Sequence, residues 1–285
     1  MKDRYNDIFI SAVLTMHNEE SYIGQCIDSV LAQDHENFEL IVVDDGSNDR
    51  SCEIIKSYRD NRIHLYQNHQ DYIQSLNMGI SKASGKYIAH IDADDVMCRT
   101  RFSEQINYME QHPNIDICGA FMESFGRLNT DYTAPTESLR IISDLLWGVQ
   151  IFHPVMMFRT SSLIERGMKD RLYNPQCPLC EDYALLVSSA LQGMSFGNVA
   201  QKLVHYRLSD KQITCAKAKQ VRYYMLQVRK KYYDYIVTAL LNSNKEQNMP
   251  AIQALTDRYV KKEIKKTDFL KGISNMYYHY LSETR

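Results

Sequence analysis

Along the first hundred residues the apolar positions switch between two periods, and the switches mark out four strand and helix pairs. Ile8 to Thr15 is a β-prone apolar run and predicts a first strand. A helix is predicted from about Ser21 to Gln33, where Ile23, Ile27, Val30 and Leu31 share one 3.6-residue face. Phe38 to Val43 predicts a second strand, Cys52, Ile54, Ile55 and Tyr58 repeat at helical spacing, and Ile63 to Tyr66 predicts a third strand. Asp71 to Lys82 is helical in pattern, and Tyr87 to Ile91 is a fourth apolar run behind the turn signal Ala83-Ser84-Gly85-Lys86. Such alternation predicts an α/β fold, a doubly wound, Rossmann-like parallel sheet with helices on both faces. Right-handed crossovers bring the C-terminal ends of all four strands to one edge.

Beyond Asp95 the pattern loosens. Arg101 to Gln111 and Ser138 to Trp147 read as helices, Ile115 to Met122 as a strand, and Ile151 to Arg159 as a strand interrupted at Pro154. Tyr183 to Leu191 reads as a short buried helix carrying Glu181 and Asp182 at its start, where the helix dipole favours negative charge. Val199 to Arg207 predicts a last strand. From about Lys217 the chain turns to Tyr, Lys, Arg and Gln at helical spacing, broken near Asn242 to Pro250. The expected division is a catalytic domain over residues 1–210 and a helical extension over 211–285.

Charge sharpens that division. The net charge of −2 conceals 15 Lys and Arg against 6 Asp and Glu after position 210, which leaves 18 against 29 before it. Nine of the 20 tyrosines also fall in the basic tail. Basic and aromatic helices suit an anionic membrane surface; a helical cap with a solvated basic face is the structural alternative, and the acidic body disfavours nucleic acid as a partner. The seven cysteines are odd in number and scattered, which predicts free thiols in a reducing compartment. Cys177 and Cys180 have metal or redox spacing but no second pair at zinc-ribbon distance. Met1 to Asp7 leads into a strand without a signal-peptide core, and no run approaches the ~20 apolar residues of a spanning helix. A cytoplasmic protein, peripheral at most at the inner face of the cytoplasmic membrane, is expected.

The candidate chemistry gathers at the predicted strand ends. Tyr87 to Ile91 empties into Asp92-Ala93-Asp94-Asp95, three carboxylates within four residues. Like charges this close repel and raise one another's pKa, and a hard divalent cation with oxygen ligands, Mn²⁺ or Mg²⁺, relieves that repulsion. The second strand ends in Asp44-Asp45, and the first in Thr15-Met16-His17-Asn18. Ligands of open α/β sheets bind at this edge. A receiver-domain reading of Asp44-Asp45 fits the length and the triple acid poorly, and no G-x-G-x-x-G follows the first strand.

Five ordered motifs resemble the family 2 nucleotide-sugar glycosyltransferases of the GT-A fold. They are Ser11 to Glu20, Phe38 to Ser47, Ala83 to Ile88 with Asp92 to Asp95, His153 to Arg159, and Cys180-Glu181-Asp182-Tyr183. The resemblance spans about Ile8 to Arg207 and carries the expectation of a mixed, mostly parallel sheet. It implies that Thr15, His17, Asn18, Glu19, Asp45, Asp92, Ala93 and Asp94 bind the nucleotide sugar, with the uracil edge on Asp45 and the ribose near Asp92. It further implies that Asp94 or Asp95 holds the metal and that Asp182 is the base for an inverting single displacement. His153, Glu181 and Arg207 fall on the acceptor or phosphate side. The implied activity moves one sugar from UDP-galactose, UDP-N-acetylglucosamine or a related donor to a glycan or lipid-linked acceptor in bacterial surface polysaccharide or lipopolysaccharide assembly. The alternative is a nucleotide-sugar-binding module without turnover.

Departures from the family pattern accompany the likeness. Thr15 and His17 stand where Pro and Tyr are frequent, Asn68-His69-Gln70 and Ser75-Leu76-Asn77 replace a Gly-rich stretch with an Arg-Asn pair, and Ser209 stands where a histidine is usual. The Gln-x-x-Arg-Trp motif of processive members is absent; the one tryptophan, Trp147, is in a different context and reads as a helix-face core residue or a sugar platform.

Overall fold

The computed structural model describes residues 5–208 and 217–284. Its first half is the expected alternation: β1 (Ile10–Met16), α1 (Ile23–Leu31), β2 (Phe38–Asp44), α2 (Ser51–Ser57), β3 (Ile63–Gln67), α3 (Tyr72–Lys82) and β4 (Tyr87–Asp92). A two-residue strand β5 (Val96–Met97) and α4 (Arg101–Gln111) follow. The second half runs β6 (Ile117–Gly126), β7 (Asp131–Tyr132), α5 (Ser138–Asp144), β8 (Met157–Arg159), α6 (Thr160–Glu165), α7 (Glu181–Leu191) and β9 (Phe196–Leu208). It ends in α8 (Ala218–Ser243), α9 (Lys245–Val260) and α10 (Lys266–Thr284).

One mixed sheet carries these strands in the order β3-β2-β1-β4-β8-β6-β9-β5, with β7 beside β6. β1 to β4 are mutually parallel, β8 enters antiparallel between β4 and β6, and β9 runs parallel to β6 through a bulge near Phe121. The register sets up the site: Thr15 lies between Val43 on β2 and Asp92 on β4, and Met16 aligns with Asp44. All of β1 is buried, as a strand covered on both faces must be.

Alternate side chains of each strand enter two cores. Ala12, Leu14, Leu40 and Val42 face α1 and α4, whereas Val13, Ile41 and Val43 face α3 and the group formed by α5 and α7. The basic extension belongs to the second core: Val228, Tyr232, Ile236, Leu240, Ile273 and Tyr277 are buried in it. Polar contacts pin the seam, with the Tyr232 hydroxyl donating to Ile142 O at 2.7 Å and Ser274 Oγ to Asp144 Oδ1 at 2.7 Å. The extension is therefore packed on the sheet's helices, and no helix of the described residues is long and apolar enough to cross a membrane. Trp147 is half-buried against the same core, with Lys271 Nζ 5.2 Å from its ring centre.

Three expectations change in detail. Pro154 sits in a 3₁₀ turn, His153–Val155, so the interrupted strand survives only as β8. The helix expected to reach Trp147 ends at Asp144. In the extension, the break is confined to Asn244, whose side chain caps α9 by accepting from Gln247 N at 3.1 Å, and Pro250 lies inside that helix. The proposed boundary at 210 and 211, Ser209 and Cys215 lie outside the described residues.

Gly85 precedes β4 where backbone presses on backbone: a Cβ there would stand 2.5 Å from Ser11 N and 2.8 Å from Ile10 C. Main chain cannot rotate away as a side chain can. Gly85→Ala is expected to cost at least the ~1–3 kcal/mol of ordinary overpacking, measured by urea unfolding monitored by circular dichroism.

Candidate active site

The ends of β1 and β2 build one wall of a crevice. His17 Nδ1–H donates to the Asp45 carbonyl at 3.0 Å, and Asn18 Nδ2 donates to His17 Nε2 at 3.1 Å, a pattern that fits the neutral Nδ1–H tautomer. Asn18 takes a positive φ of 57°, which asparagine tolerates, and ties the two loops together: its N–H donates to Ser47 Oγ and its Oδ1 accepts from Asn48 N. Glu19 N–H donates to Ser51 Oγ at 2.8 Å. Thr15 is buried with its hydroxyl unpartnered.

Asp45 is 6% exposed, and its Oδ1 accepts from Asp71 N and Ser75 Oγ, each at 2.8 Å. Oδ2 is its remaining acceptor. Asn68 in turn donates to Ser75 Oγ at 2.9 Å. Asn77 makes a reciprocal pair with the backbone of Tyr173, both bonds 2.8 Å. The segments that depart from the family pattern thus orient Asp45 and anchor the loop that carries Tyr173.

At the end of β4 the three carboxylates have different surroundings. Asp92 Oδ1 accepts from His90 Nε2 at 2.8 Å and lies 3.5 Å from His153 Nδ1. Burial opposes its charge, but the hydrogen bonds of His153 and His90 and the charge of His153 outweigh that and hold it well below the usual carboxylate range. Asp94 is half-buried; burial and the charge of Asp92 push its carboxyl up to about 6. Asp95 is 1% exposed and also raised, first by burial and then by Asp92 and Asp94. Its Oδ1 accepts from Arg207 N at 2.7 Å, and its Oδ2 is buried without a partner. Ala93 between them is buried.

Arg207 braces this turn. Nε donates to Asp94 O at 2.8 Å, a terminal nitrogen donates to Gln25 Oε1 at 2.7 Å, and the guanidinium lies 4.3 Å and 4.5 Å from the rings of Tyr22 and Phe125. Arg101 supplies positive charge from below. It is fully buried, donates to the His90 carbonyl at 2.8 Å, and although burial lowers its pKa to about 10 it stays charged at neutral pH beneath Asp92 and Asp95.

His90 and His153 stack with ring centres 3.7 Å apart. Burial and the charge of His153 lower His90 to about 4, so it is neutral. For His153 burial acts downward, but Asp92, Asp182 and Glu181 more than compensate and raise it. Its Nε2 meets the Tyr173 hydroxyl at 3.0 Å, so an imidazolium there donates to Asp92 on one side and to Tyr173 on the other. The ligand atoms of His90, Asp92 and His153 lie within 4.8 Å of one another, a spacing that one metal ion could bridge.

Across from them, the first turn of α7 presents Glu181 and Asp182, both half-buried. Asp182 Oδ1 accepts from Tyr183 N at 2.6 Å. Glu181 Oε2 is buried and unpartnered, and burial raises its carboxyl, with His153 opposing and Asp182 adding to the shift. Tyr173 is buried and Tyr72 is 38% exposed; burial raises each phenol, and Asp92, Glu181 and Asp182 add to the shift. Behind this turn, burial pushes the Cys180 thiol up to about 12 and also raises Cys177, so neither is poised to be a thiolate ligand.

The donor set fits a divalent cation. The half-buried Asp94 is held beside Asp92 and Asp95 against their mutual repulsion, which a cation at its carboxylate would relieve. Without metal, Asp94 binds its proton more tightly in the folded than in the unfolded chain, so its stabilising effect is complete below the unfolded value of 3.8 and is lost as pH rises through about 6. Asp94→Asn is therefore expected to raise the melting temperature in EDTA at pH 8, by on the order of 1–3 kcal/mol of stability, and to have progressively less effect as the pH falls toward 3.8. Melts of both proteins across that range check it.

Sequence reasoning missed His90, Tyr72, Tyr173 and Arg101. His90 alternates with Asp92 on β4, so strand period 2 could have placed them on one face. The others reach the site only through loops and crossings.

The sheet, its strand order and the acidic turn at the end of β4 define a GT-A fold. Comparison with solved structures agrees: TarS 1-349 of S. aureus in complex with UDP-GlcNAc superposes with a TM-score of 0.60 at 20% identity, over 82% of this chain and 67% of that one. The mannosyltransferase PcManGT from Pyrobaculum calidifontis, in complex with GDP-Man and Mn²⁺, gives 0.56 at 13% identity, over 94% and 84%. Residues 11–170 match the family described as Glycosyl transferase family 2, and the chain belongs to that family. An uncharacterized glycosyltransferase of Haemophilus influenzae is 28% identical over 218 residues, 71% of this chain and 66% of the relative. The chain spans just under two thirds of that relative's length.

Proposed function

We propose that the protein is a metal-dependent, inverting glycosyltransferase that moves a single sugar from a UDP-sugar to a hydroxyl of a glycan or lipid-linked saccharide. The observation that carries this reading is that two acidic groups act on one histidine: His153 lies 3.5 Å from Asp92 at the end of β4, and the charges of Asp182 and Glu181 in the first turn of α7 join Asp92 in raising it. The loops bearing Thr15 and Asp45 open at the same sheet edge.

In this reading the base of the nucleotide lies against Thr15, His17 and Asp45, with Oδ2 of Asp45 accepting from the uracil edge. Asn18 and Glu19 shape that wall through their loop-to-loop hydrogen bonds. Asp94 would hold the cation, since Asp95 is turned inward onto Arg207 N–H. A bound Mn²⁺ or Mg²⁺ supplies Lewis-acid neutralisation of the diphosphate leaving group. His153, drawn toward its charged form, adds a second positive group beside Asp92. Asp182 takes the proton from the acceptor hydroxyl as that oxygen attacks the anomeric carbon, and an α-linked donor gives a β-linked product. Relatives in fold hold UDP-GlcNAc in one case and GDP-Man with Mn²⁺ in another, which supports a nucleotide-sugar donor. A place in surface polysaccharide or lipopolysaccharide assembly, near the inner face of the membrane, follows from the acceptor class.

The test is incubation with Mn²⁺ and a panel of UDP-sugars, with and without saccharide acceptors, scored by UDP release. Release with at least one donor is expected. Tight UDP-sugar binding with neither hydrolysis nor transfer would overturn the enzyme reading in favour of a binding module.

A further inference from the structure

The unbalanced positive charge of the extension is not spread evenly. Arg222 and Arg229 stand two turns apart on the same side of α8, and Lys266 at the start of α10 meets them. Together with Val221, Met225 and Leu226 they line a groove of about 300 Å³. Among the described residues no carboxylate lies within ion-pair distance of any of the three, whereas Arg258 on α9 does pair, with Glu263. Partial burial and the charges of Arg229 and Arg222 make the Lys266 ammonium easier to deprotonate. Arg229 is half-buried and donates to the Trp147 carbonyl at 3.0 Å, while its Nε is buried with no acceptor.

Packing alone does not require three cations here. Exposed lysines and arginines ordinarily spread apart or find carboxylates, because like charges at short range repel. A groove that holds them together with one donor unused is matched to an anion, and arginine forks are suited to the tetrahedral oxygens of a phosphoryl group. The groove also communicates with the reaction side. Arg229 donates to the carbonyl of Trp147, and two residues earlier in that loop the Leu145 carbonyl accepts from the phenol of Tyr183, the residue after Asp182, at 2.6 Å. A second groove, of about 440 Å³, runs between Tyr223 and Tyr224 of α8 and Pro178 and Leu179 in the loop entering α7.

We propose that Arg222, Arg229 and Lys266 form a phosphoryl-anion site that anchors a phosphate-bearing acceptor while its sugar lies along Tyr223 and Tyr224 toward Asp182. This rests on the reading of α7 as the acceptor side.

The probe is inorganic pyrophosphate, titrated calorimetrically into the full chain in EDTA, where the metal-free carboxylates of the donor side repel anions. Arg222→Glu combined with Lys266→Glu is expected to weaken pyrophosphate binding by at least tenfold while UDP binding in Mn²⁺ stays within about twofold. Equal pyrophosphate affinity in both proteins, or none in the wild type, would overturn the site. Failure of the wild type to bind UDP in Mn²⁺ would instead overturn the donor reading, leaving the pyrophosphate result standing. Flotation with vesicles of phosphatidylcholine and phosphatidylglycerol at 4:1 identifies the source of the phosphate. Retention that pyrophosphate displaces assigns a lipid headgroup, and pyrophosphate binding without retention assigns the acceptor's own phosphate; either supports the anion site.

Discussion

Asp182→Asn is expected to lower sugar transfer by about 10²- to 10⁴-fold, the range a positioned general base contributes, while UDP affinity in Mn²⁺ changes by no more than a few-fold. The side chain stands at the start of α7, across the crevice from Asp92, and Oδ1 is occupied by Tyr183 N–H at 2.6 Å. An amide of the same shape keeps the oxygen for that bond but cannot take a proton. Turnover and nucleotide affinity should therefore separate. Calorimetry with UDP beside a transfer assay checks this, and a large loss of UDP affinity would move the base elsewhere. Glu181→Gln is the internal control. Its carboxyl is raised by burial and its Oε2 is buried without a partner, and a loss below about tenfold is expected.

The second large effect concerns the cation. Asp94→Ala should abolish the Mn²⁺ dependence of UDP binding and cost on the order of 100-fold in affinity, consistent with the several kcal/mol a Lewis-acid contact contributes. Asp95→Ala should act differently. Its carboxylate is 1% exposed and accepts from Arg207 N at 2.7 Å, and its loss removes the acceptor of that partly buried N–H at roughly 1–3 kcal/mol. A lowered melting temperature is its expected signature, with weakened UDP binding only as the turn loosens. Retained Mn²⁺ dependence in the double variant, read by UDP titration with and without EDTA, would place the metal on another set, for which His90, Asp92 and His153 are the nearest ligands.

Much of the sheet was legible because strand and helix periods are local properties. The apolar runs of β1, β2 and β4 are buried on both faces, and α1 and α3 each bury one apolar stripe. Short pieces were not legible. β5 and β7 are two residues long and pair with distant partners, so no period marks them. Pro154 was read as a flaw in a strand, but a residue that fixes φ and lacks an N–H favours the 3₁₀ turn that it occupies. That turn is what aims His153 at Asp92.

The acidic strand ends could be found in the chain itself, since right-handed crossovers put Thr15, Asp45 and Asp92 to Asp95 on one edge whatever the side chains do. What the carboxylates face is another matter. Asp94 and Asp95 are adjacent in sequence and alike in chemistry, and only the arrival of β9, which brings Arg207 from 112 positions away, turns one of them inward. The same holds for the tail, whose composition suits a membrane and a packed cap equally, and whose buried Val228, Tyr232 and Ile236 are chosen by the helices they meet. Period, charge and motif order determined the fold and the edge on which the chemistry lies. Tertiary contact decided each group's solvation and hydrogen-bond partners, and because those set which carboxylate is charged, paired or free to bind a cation, the division of labour within the site belongs to the folded structure alone.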